Sequence, residues 1–177
     1  MKLHVIPALT AALFFVSAST AHAIVPKGDA YFGYSRVGAN LFQPNTPGMN
    51  GWQLAVQYKP LPFVGVEGDV SRYSHSSDAY SQQATQVMFG PRVTVHAVGF
   101  SVFAHALGGL VHDSATVTTF PSASYNAASY ALGAGADIPV FLGLKVRATG
   151  DWLGNSNSPA QPSPSHYRFG LGVAYHF

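Results

Sequence analysis

The sequence predicts an all-β protein, an eight-stranded antiparallel up-and-down transmembrane β-barrel. Charged residues make up only 9% of the chain, against about 25% in a soluble domain. No stretch after the N-terminal region has the roughly 18 apolar residues that a membrane helix needs. Instead, several segments alternate apolar with polar residues, and the connections between them alternate in length. Because a bilayer satisfies no backbone polar groups, such strands are expected to close into a barrel.

The N-terminus has the features of a cleaved secretory signal. A short basic start at Lys2 leads into an apolar run from Val5 to Val16, which is too short to span a bilayer. Small residues follow, and Ala21-His22-Ala23 forms an A-x-A site of the kind that signal peptidase cleaves. We therefore predict a signal peptide over residues 1–23, cleaved after Ala23, and a single barrel domain over residues 24–177. The chain has no cysteine, so no disulfide can stabilise the exported domain.

The clearest strand pattern lies at the C-terminus, where residues 167, 169, 171, 173, 175 and 177 form an apolar face rimmed by aromatic side chains. The opposite face, which includes His166, Arg168 and His176, is small or polar, as a wall between lipid and a narrow lumen requires. The same alternation recurs in residues 52–59, 64–71, 86–95, 130–138 and 142–152.

Two further segments, residues 28–37 and 100–111, alternate less clearly. In the first we expect Phe32 and Tyr34 to face outward. In the second we expect His105 to face the lumen, because a polar group costs less there than in lipid.

The predicted connections alternate strictly between long and short, beginning with a long one. The long ones are rich in Ser, Asn, Gly and Pro. A barrel with short periplasmic turns, long external loops and both termini inside has this pattern. The short connections are predicted at residues 59–62, 96–99 and 139–141, and the long ones at about 38–51, 74–85, 112–129 and 154–165.

The few charges of the predicted strands all fall on the inward face. They are four acids and four bases: Glu67, Asp69, Asp137, Asp151, Arg92, Lys145, Arg147 and Arg168. An eight-stranded barrel is just wide enough for its own side chains to fill, so these charges are predicted to pair as a lumen network that plugs the barrel. A narrow pore or a small-ligand transport barrel is the alternative. Arg36 and Arg72 fall near the predicted outer ends of their strands, where long side chains can reach the interface.

Across these segments the chain resembles the small outer-membrane β-barrel family that includes the transmembrane domain of outer-membrane protein A and its short relatives. The most specific element is the final strand, Tyr167 to Phe177, with its alternating hydrophobics and terminal aromatic residue. The resemblance implies an outer-membrane location and insertion by the family's assembly machinery. It also implies that Tyr175 and Phe177 act as the assembly signal.

Some small outer-membrane barrels modify lipid A, which requires a nucleophile, a base and an orienting acid. The only candidates are two clusters of adjacent residues in Ser-rich segments, and adjacent residues rarely converge as a triad. We therefore predict no enzymatic activity. No histidine spacing indicates a metal site, no nucleotide-binding motif indicates a cofactor, and no basic stripe indicates a nucleic-acid partner. The two clusters are His75, Ser76, Ser77 and Asp78, and His112, Asp113 and Ser114.

The function expected from the sequence is structural, in surface interaction or in membrane integrity. Its expected partners are outer-membrane lipid, lipopolysaccharide, the assembly machinery and a surface ligand at the long loops. A soluble carrier of lipocalin type is a further alternative. In such a carrier the apolar face would point inward, and Glu67, Asp69, Lys145 and Arg147 would meet water. The two arrangements predict opposite exposure.

Overall fold

The computed structural model describes residues 27–38, 48–77, 80–117, 120–156 and 166–177. Each strand pairs with its neighbours in sequence, and β1 pairs with β8, so the sheet closes into a barrel. The predicted fold class is therefore confirmed. In the part of the chain that is described, no helix is long and apolar enough to cross a membrane. The strands are β1 (Gly28–Gly38), β2 (Met49–Tyr58), β3 (Val64–Ser77), β4 (Tyr80–Ala97), β5 (Phe100–Val117), β6 (Phe120–Phe141), β7 (Leu144–Ser156) and β8 (His166–His176).

Side chains alternate between the inner and the outer wall, because successive residues of a strand point to opposite faces. Glu67 and Asp69 are 2% and 1% exposed on the inner wall, whereas Phe89 is 65% exposed on the outer wall. In β5, whose sequence alternates poorly, His105 faces inward as expected. A soluble carrier of lipocalin type would reverse this arrangement, so the exposure pattern contradicts that alternative.

Three tight connections lie at one end of the barrel, at residues 59–63, 98–99 and 142–143. The sequence-based position of the third, residues 139–141, was wrong. Strand β6 continues to Phe141, and its register against β7 shifts between Pro139 and Phe141. A proline, which has no N–H to donate, is tolerated at such an irregularity. The turn itself is formed by Leu142 and Gly143, whose φ angles of 37° and 83° are typical of a type I′ hairpin turn.

The strands extend further than predicted at the opposite end. Two segments assigned to long loops, residues 74–85 and 112–129, are mostly paired strand, with β3 ending at Ser77 and β4 beginning at Tyr80. Likewise β5 ends at Val117 and β6 begins at Phe120. The loop prediction was wrong because these segments are polar on both faces, which resembles a loop in composition. The other two long connections centre on residues 39–47 and 157–165, which lie outside the described residues.

Pro91 is accommodated on the outer wall of β4. It lies opposite Val66 of β3, while the pairing with β5 is interrupted after Phe89. The pairing resumes in the same register at Arg92, opposite His105. The missing N–H of Pro91 therefore interrupts the hydrogen bonds between β4 and β5 locally, and Arg92 still faces the lumen.

Candidate functional site

The interior of the barrel holds a connected set of buried charges, which we call the lumen network. Every one of the eight inward-facing charged residues named from the sequence lies on the inner wall, and the structure adds Asp29, Lys59 and His105 to them. Five acids therefore face five bases and one histidine. The lumen network comprises Asp29, Glu67, Asp69, Asp137 and Asp151 with Lys59, Arg92, Lys145, Arg147, Arg168 and His105.

Arg168 joins two carboxylates toward the outer end of the lumen. Its Nε lies 2.5 Å from Oδ2 of Asp151 on the neighbouring strand β7. Its Nη1 lies 3.0 Å from Oδ1 of Asp69 on β3, across the lumen. Asp69 also accepts a hydrogen bond of 2.5 Å from Gln53 of β2. Arg168 is fully buried, and its guanidinium is the only base within ion-pair distance of Asp69 among the described residues.

His105 of β5 bridges an acid of β3 and an acid of β7, each two strands away from its own. Its Nδ1 lies 3.0 Å from Oε1 of Glu67, and its Nε2 lies 2.7 Å from Oδ1 of Asp151. An ionised carboxylate can only accept a hydrogen bond, so both ring nitrogens have to donate. This geometry is that of an imidazolium cation, and it makes His105 a sixth positive charge in the lumen network.

Two arginines share the middle of the lumen. Arg92 Nη1 donates to Oε2 of Glu67 at 2.6 Å, and its Nη2 lies 3.6 Å from Oδ2 of Asp137. Arg147 binds both oxygens of Asp137, through Nε at 2.6 Å and Nη2 at 2.9 Å. The guanidinium of Arg92 also lies 3.4 Å from the ring centre of Phe103, a cation–π contact in a site closed to water.

Asp29 forms ion pairs with three bases at the end of the lumen where the tight turns lie. Lys59 and Lys145 approach its oxygens at 3.0 and 2.9 Å, and Arg147 lies 3.8 Å away. His176 Nδ1 also lies 2.9 Å from Oδ1 of Asp29. Burial lowers the pKa of Lys59, which lies in the first tight turn, while the hydrogen bond to Asp29 opposes that shift. Through Arg147, Asp29 is linked to the rest of the lumen network.

Two glycines leave room for these contacts. A Cβ on Gly133 would lie 2.5 Å from Nε2 of His105 and even closer to the Asp151 carboxylate. A Cβ on Gly170 would lie 2.5 Å from Oγ1 of Thr149. Side chains at these positions would have to displace the polar groups that meet in the lumen, which is the physical reason for the small residues on the inner face.

An apolar layer covers the lumen network toward its outer end. Met88, Leu107, Ala131 and Leu153 pack together and are all buried. Each lies two residues further toward the outer end of its strand than an inward-facing Gly90, His105, Gly133 or Asp151. Val37 of β1 packs against the cluster from across the barrel, so this layer spans the lumen.

The two clusters considered for catalysis do not form a triad among the described residues. His112 is exposed and lies 2.7 Å from Oδ1 of Asn126. Its neighbour Asp113 accepts hydrogen bonds from Gln82 and Tyr125 instead. Adjacent strand residues point to opposite faces, which keeps His112 and Asp113 apart. His75 and Ser76 lie in β3, and Asp78 lies outside the described residues.

No group of three or more histidine, cysteine or acidic side chains within the described ranges is arranged to hold a metal ion.

The sequence matches the outer membrane protein beta-barrel domain family over residues 8–177. The chain belongs to this family. Its barrel is therefore an outer-membrane barrel, and the predicted location is confirmed. No curated protein sequence matches the chain significantly.

Three solved structures illustrate the shared fold. The attachment invasion locus protein Ail of Yersinia pestis aligns with a TM-score of 0.60 and 19% identity, covering 86% of this chain and 99% of Ail. Neisserial surface protein A aligns with a TM-score of 0.67 and 10% identity, covering 85% and 96%. The N-terminal barrel of Pseudomonas aeruginosa OprF aligns with a TM-score of 0.55 and 15% identity, covering 85% and 96%. At these identities the likeness concerns the fold alone.

The outer wall of this outer-membrane barrel is apolar and is bounded by aromatic residues at both ends, as is typical of bilayer-spanning barrels. Because outer-membrane barrels have short turns on the periplasmic side, we assign the end with the turns at residues 59–63, 98–99 and 142–143 to the periplasm and the opposite end, where β3 to β6 extend furthest, to the exterior. Tyr34, Trp52, Tyr130 and Trp152 lie toward the external end, and Tyr58, Phe63, Phe100, Phe141, Tyr175 and Phe177 toward the periplasmic end.

Sequence reasoning left Asp29 and the apolar layer unassigned. Asp29 could have been found from strand phase, because it is an odd number of residues from Phe32 and Tyr34, which both face outward. The same phase carries Lys59 inward beyond Gln57. Strand phase also places Met88 and Leu107 inward, but it does not show that they pack with Ala131 and Leu153 as one layer.

Proposed function

We propose that this outer-membrane barrel is a structural and surface-interaction protein whose lumen is plugged by its own side chains. The observation that carries the proposal is the continuity of the lumen network. Seven of the eight strands, β1 and β3 to β8, carry a charged member of the lumen network. The remaining strand, β2, contributes Gln53, which donates a hydrogen bond to Asp69. Paired charges of this kind leave few ionised groups free to bind and release a passing ion.

The apolar layer adds a second barrier. A permeating ion would have to shed its water between Met88, Leu107 and Leu153, which offer no polar replacement. Hydrophobic constrictions close channels by excluding water. The narrow pore considered from the sequence has no comparable support, because the charges that would line it are already bound to each other.

Single-channel recording in planar bilayers tests the plug. The purified protein is expected to produce no large, steady conductance, because the lumen network and the apolar layer both obstruct the path. A 16-stranded porin inserted in the same bilayer gives the positive control, since barrels of that size enclose an aqueous channel. Steady, large openings that scale with the amount of inserted protein would rule out the plug.

The proposed interaction surface is the external end of the barrel. Strands β3 to β6 extend there into paired hairpins with polar outer side chains, including Gln83, His112 and Asn126. Such hairpins are suited to contacts with lipopolysaccharide or a surface ligand rather than to catalysis, and we propose no enzymatic role. Residues 1–23 are proposed to be a signal peptide cleaved after Ala23, and they lie outside the described residues.

We also propose that Tyr175 and Phe177 form the signal read by the outer-membrane assembly machinery. Both side chains are about half exposed on the outer wall. The backbone N–H of Phe177 donates to the carbonyl oxygen of Gly28 at 3.1 Å, where β8 meets β1. The terminal residue therefore lies at the seam where the barrel closes.

Replacing Phe177 with serine is expected to reduce the assembled, heat-modifiable fraction in cells to well under half of the wild-type level. Refolding of the same variant into detergent micelles should change little, because only one lipid-facing ring is lost. Tyr58→Ser is the matched control, since Tyr58 is an equally exposed aromatic residue at the same end of the barrel. An equal assembly defect in Tyr58→Ser would contradict a specific role for the terminal residue.

A further inference from the structure

Two arginines take no part in the ion pairs of the described part of the chain. The chain contains seven acidic residues, of which five belong to the lumen network. Of the other two, Asp113 accepts hydrogen bonds from Gln82 and Tyr125, and Asp78 lies outside the described residues. Arg36 and Arg72 are exposed on the outer wall, and neither has a carboxylate within ion-pair distance among the described residues.

The two arginines are also the outward-facing charges of the described strands, and both lie toward the external end. Arg36 is two residues from the end of β1, opposite Asn50 of β2. Arg72 of β3 lies opposite Trp52 of β2. A charge on the lipid face costs about 2–4 kcal/mol at the midplane but only about 0–1 kcal/mol near an interface. Their position therefore places them at the level of the lipid headgroups.

The pairing register fixes the distance between the two arginines. They lie on strands separated only by β2, and Ser74, not Arg72, is directly in line with Arg36 through Asn50. Two strand spacings of about 4.8 Å and an offset of two residues put the Cα atoms about 12 Å apart. Each guanidinium can extend several ångströms from its Cα atom, so the two can bind one phosphate together or two phosphates of one headgroup.

The surroundings hold the site in place. The guanidinium Nη2 of Arg72 donates to Oε1 of Gln83 at 2.8 Å, which restrains it on the outer wall. A Cβ on Gly48 would lie 3.1 Å from Nε of Arg36, so Arg36 lies along a residue that has no side chain to cover it. On β2, between the strands that carry the two arginines, Asn50 Oδ1 accepts a hydrogen bond of 2.7 Å from Tyr34 of β1, and Trp52 offers an amphipathic ring to the interface.

We propose that Arg36 and Arg72 form a two-point site for the phosphate groups of a phosphorylated glycolipid in the outer leaflet. Guanidinium groups bind phosphate oxygens through paired, charge-assisted hydrogen bonds. The apolar wall directly below the site would accept the acyl chains of the same molecule. The inference rests on the proposed function in one respect, the assignment of the end where β3 to β6 extend furthest to the external side.

Titration of the folded, full-length mature protein in zwitterionic detergent tests the site, with the fluorescence of Trp52 and Trp152 as the readout. Lipopolysaccharide is compared with the same lipopolysaccharide after removal of its phosphates. The wild type is expected to bind the phosphorylated form at least about tenfold more tightly, since one charge-assisted hydrogen bond accounts for about that factor. The double variant Arg36→Gln/Arg72→Gln should lose this preference.

Lys27→Gln is the matched control, because it removes an exposed base at the periplasmic end, and it should bind like the wild type. Equal binding of both lipid forms by the wild type, or an unchanged preference in the double variant, would overturn the site. Inorganic phosphate that competes fully with the lipid at low concentration would show a site for a free anion and overturn the glycolipid assignment. Labelling of a Ser74→Cys variant, changed at an exposed position at the same end, with a membrane-impermeant reagent on intact cells tests the external assignment separately, because binding in detergent does not depend on it.

Discussion

Replacing Arg168 with alanine is expected to lower the free energy of unfolding by about 3–5 kcal/mol, because removing one partner of a buried ion pair leaves uncompensated charge behind. Here the loss leaves the buried carboxylate of Asp69 without a basic partner and removes one of the two bases that bind Asp151, the other being His105. Urea unfolding from lipid vesicles gives the measurement. The two tryptophans of the chain, Trp52 and Trp152, are both on the outer wall and report the loss of the lipid environment.

Two further variants define the cause of that loss. Arg72→Ala removes an exposed arginine and should stay within about 0.5 kcal/mol of the wild type. The double variant Asp69→Asn/Arg168→Ala neutralises the carboxylate that lost its only basic partner, and it should regain a substantial part of the lost stability. If Arg168→Ala unfolds like Arg72→Ala, the lumen network does not hold the charges in a water-poor site.

Replacing Leu171 with arginine is expected to cost about 2–4 kcal/mol, the range for a basic residue near the middle of a bilayer. Leu171 lies in the middle of β8 and is 60% exposed on the outer wall. The same vesicle-based unfolding measurement applies. Ser74→Arg, at an exposed position of β3 near the external end, should cost only about 0–1 kcal/mol. Equal costs at the two positions would contradict the placement of the bilayer between the aromatic residues.

The wall of the barrel could be predicted from the sequence because a two-residue period assigns every strand residue to a face. That rule placed Glu67, Asp137 and Arg147 in the lumen, and it resolved the ambiguous β5 once His105 was taken as inward. It could not find the strand ends. Pro139 belongs to a bulged strand, and the segment around Ser76 remains paired although both of its faces are polar.

The contacts within the lumen were beyond the sequence for a different reason. Phase shows that Asp69 and Arg168 share an interior, but not that they meet across it, because this depends on the tilt and register of all the strands between them. The bridging position of His105 likewise depends on the stagger of the five strands from β3 to β7. Arg36 and Arg72 were placed near the interface from the sequence, whereas the absence of a carboxylate partner for them within the described strands and turns appeared only when the acids there were located.

The cross-lumen pairs also bear on the order of events during folding. Arg168 and Asp69 are 99 residues apart, and Lys145 and Asp29 are 116 residues apart. Neither pair belongs to a hairpin, so neither can form until β8 has closed against β1. Interactions that are absent from the folding transition state act mainly by slowing unfolding. The ion pairs inside this barrel are thus expected to have little influence on how fast it inserts and a strong influence on how long it stays folded.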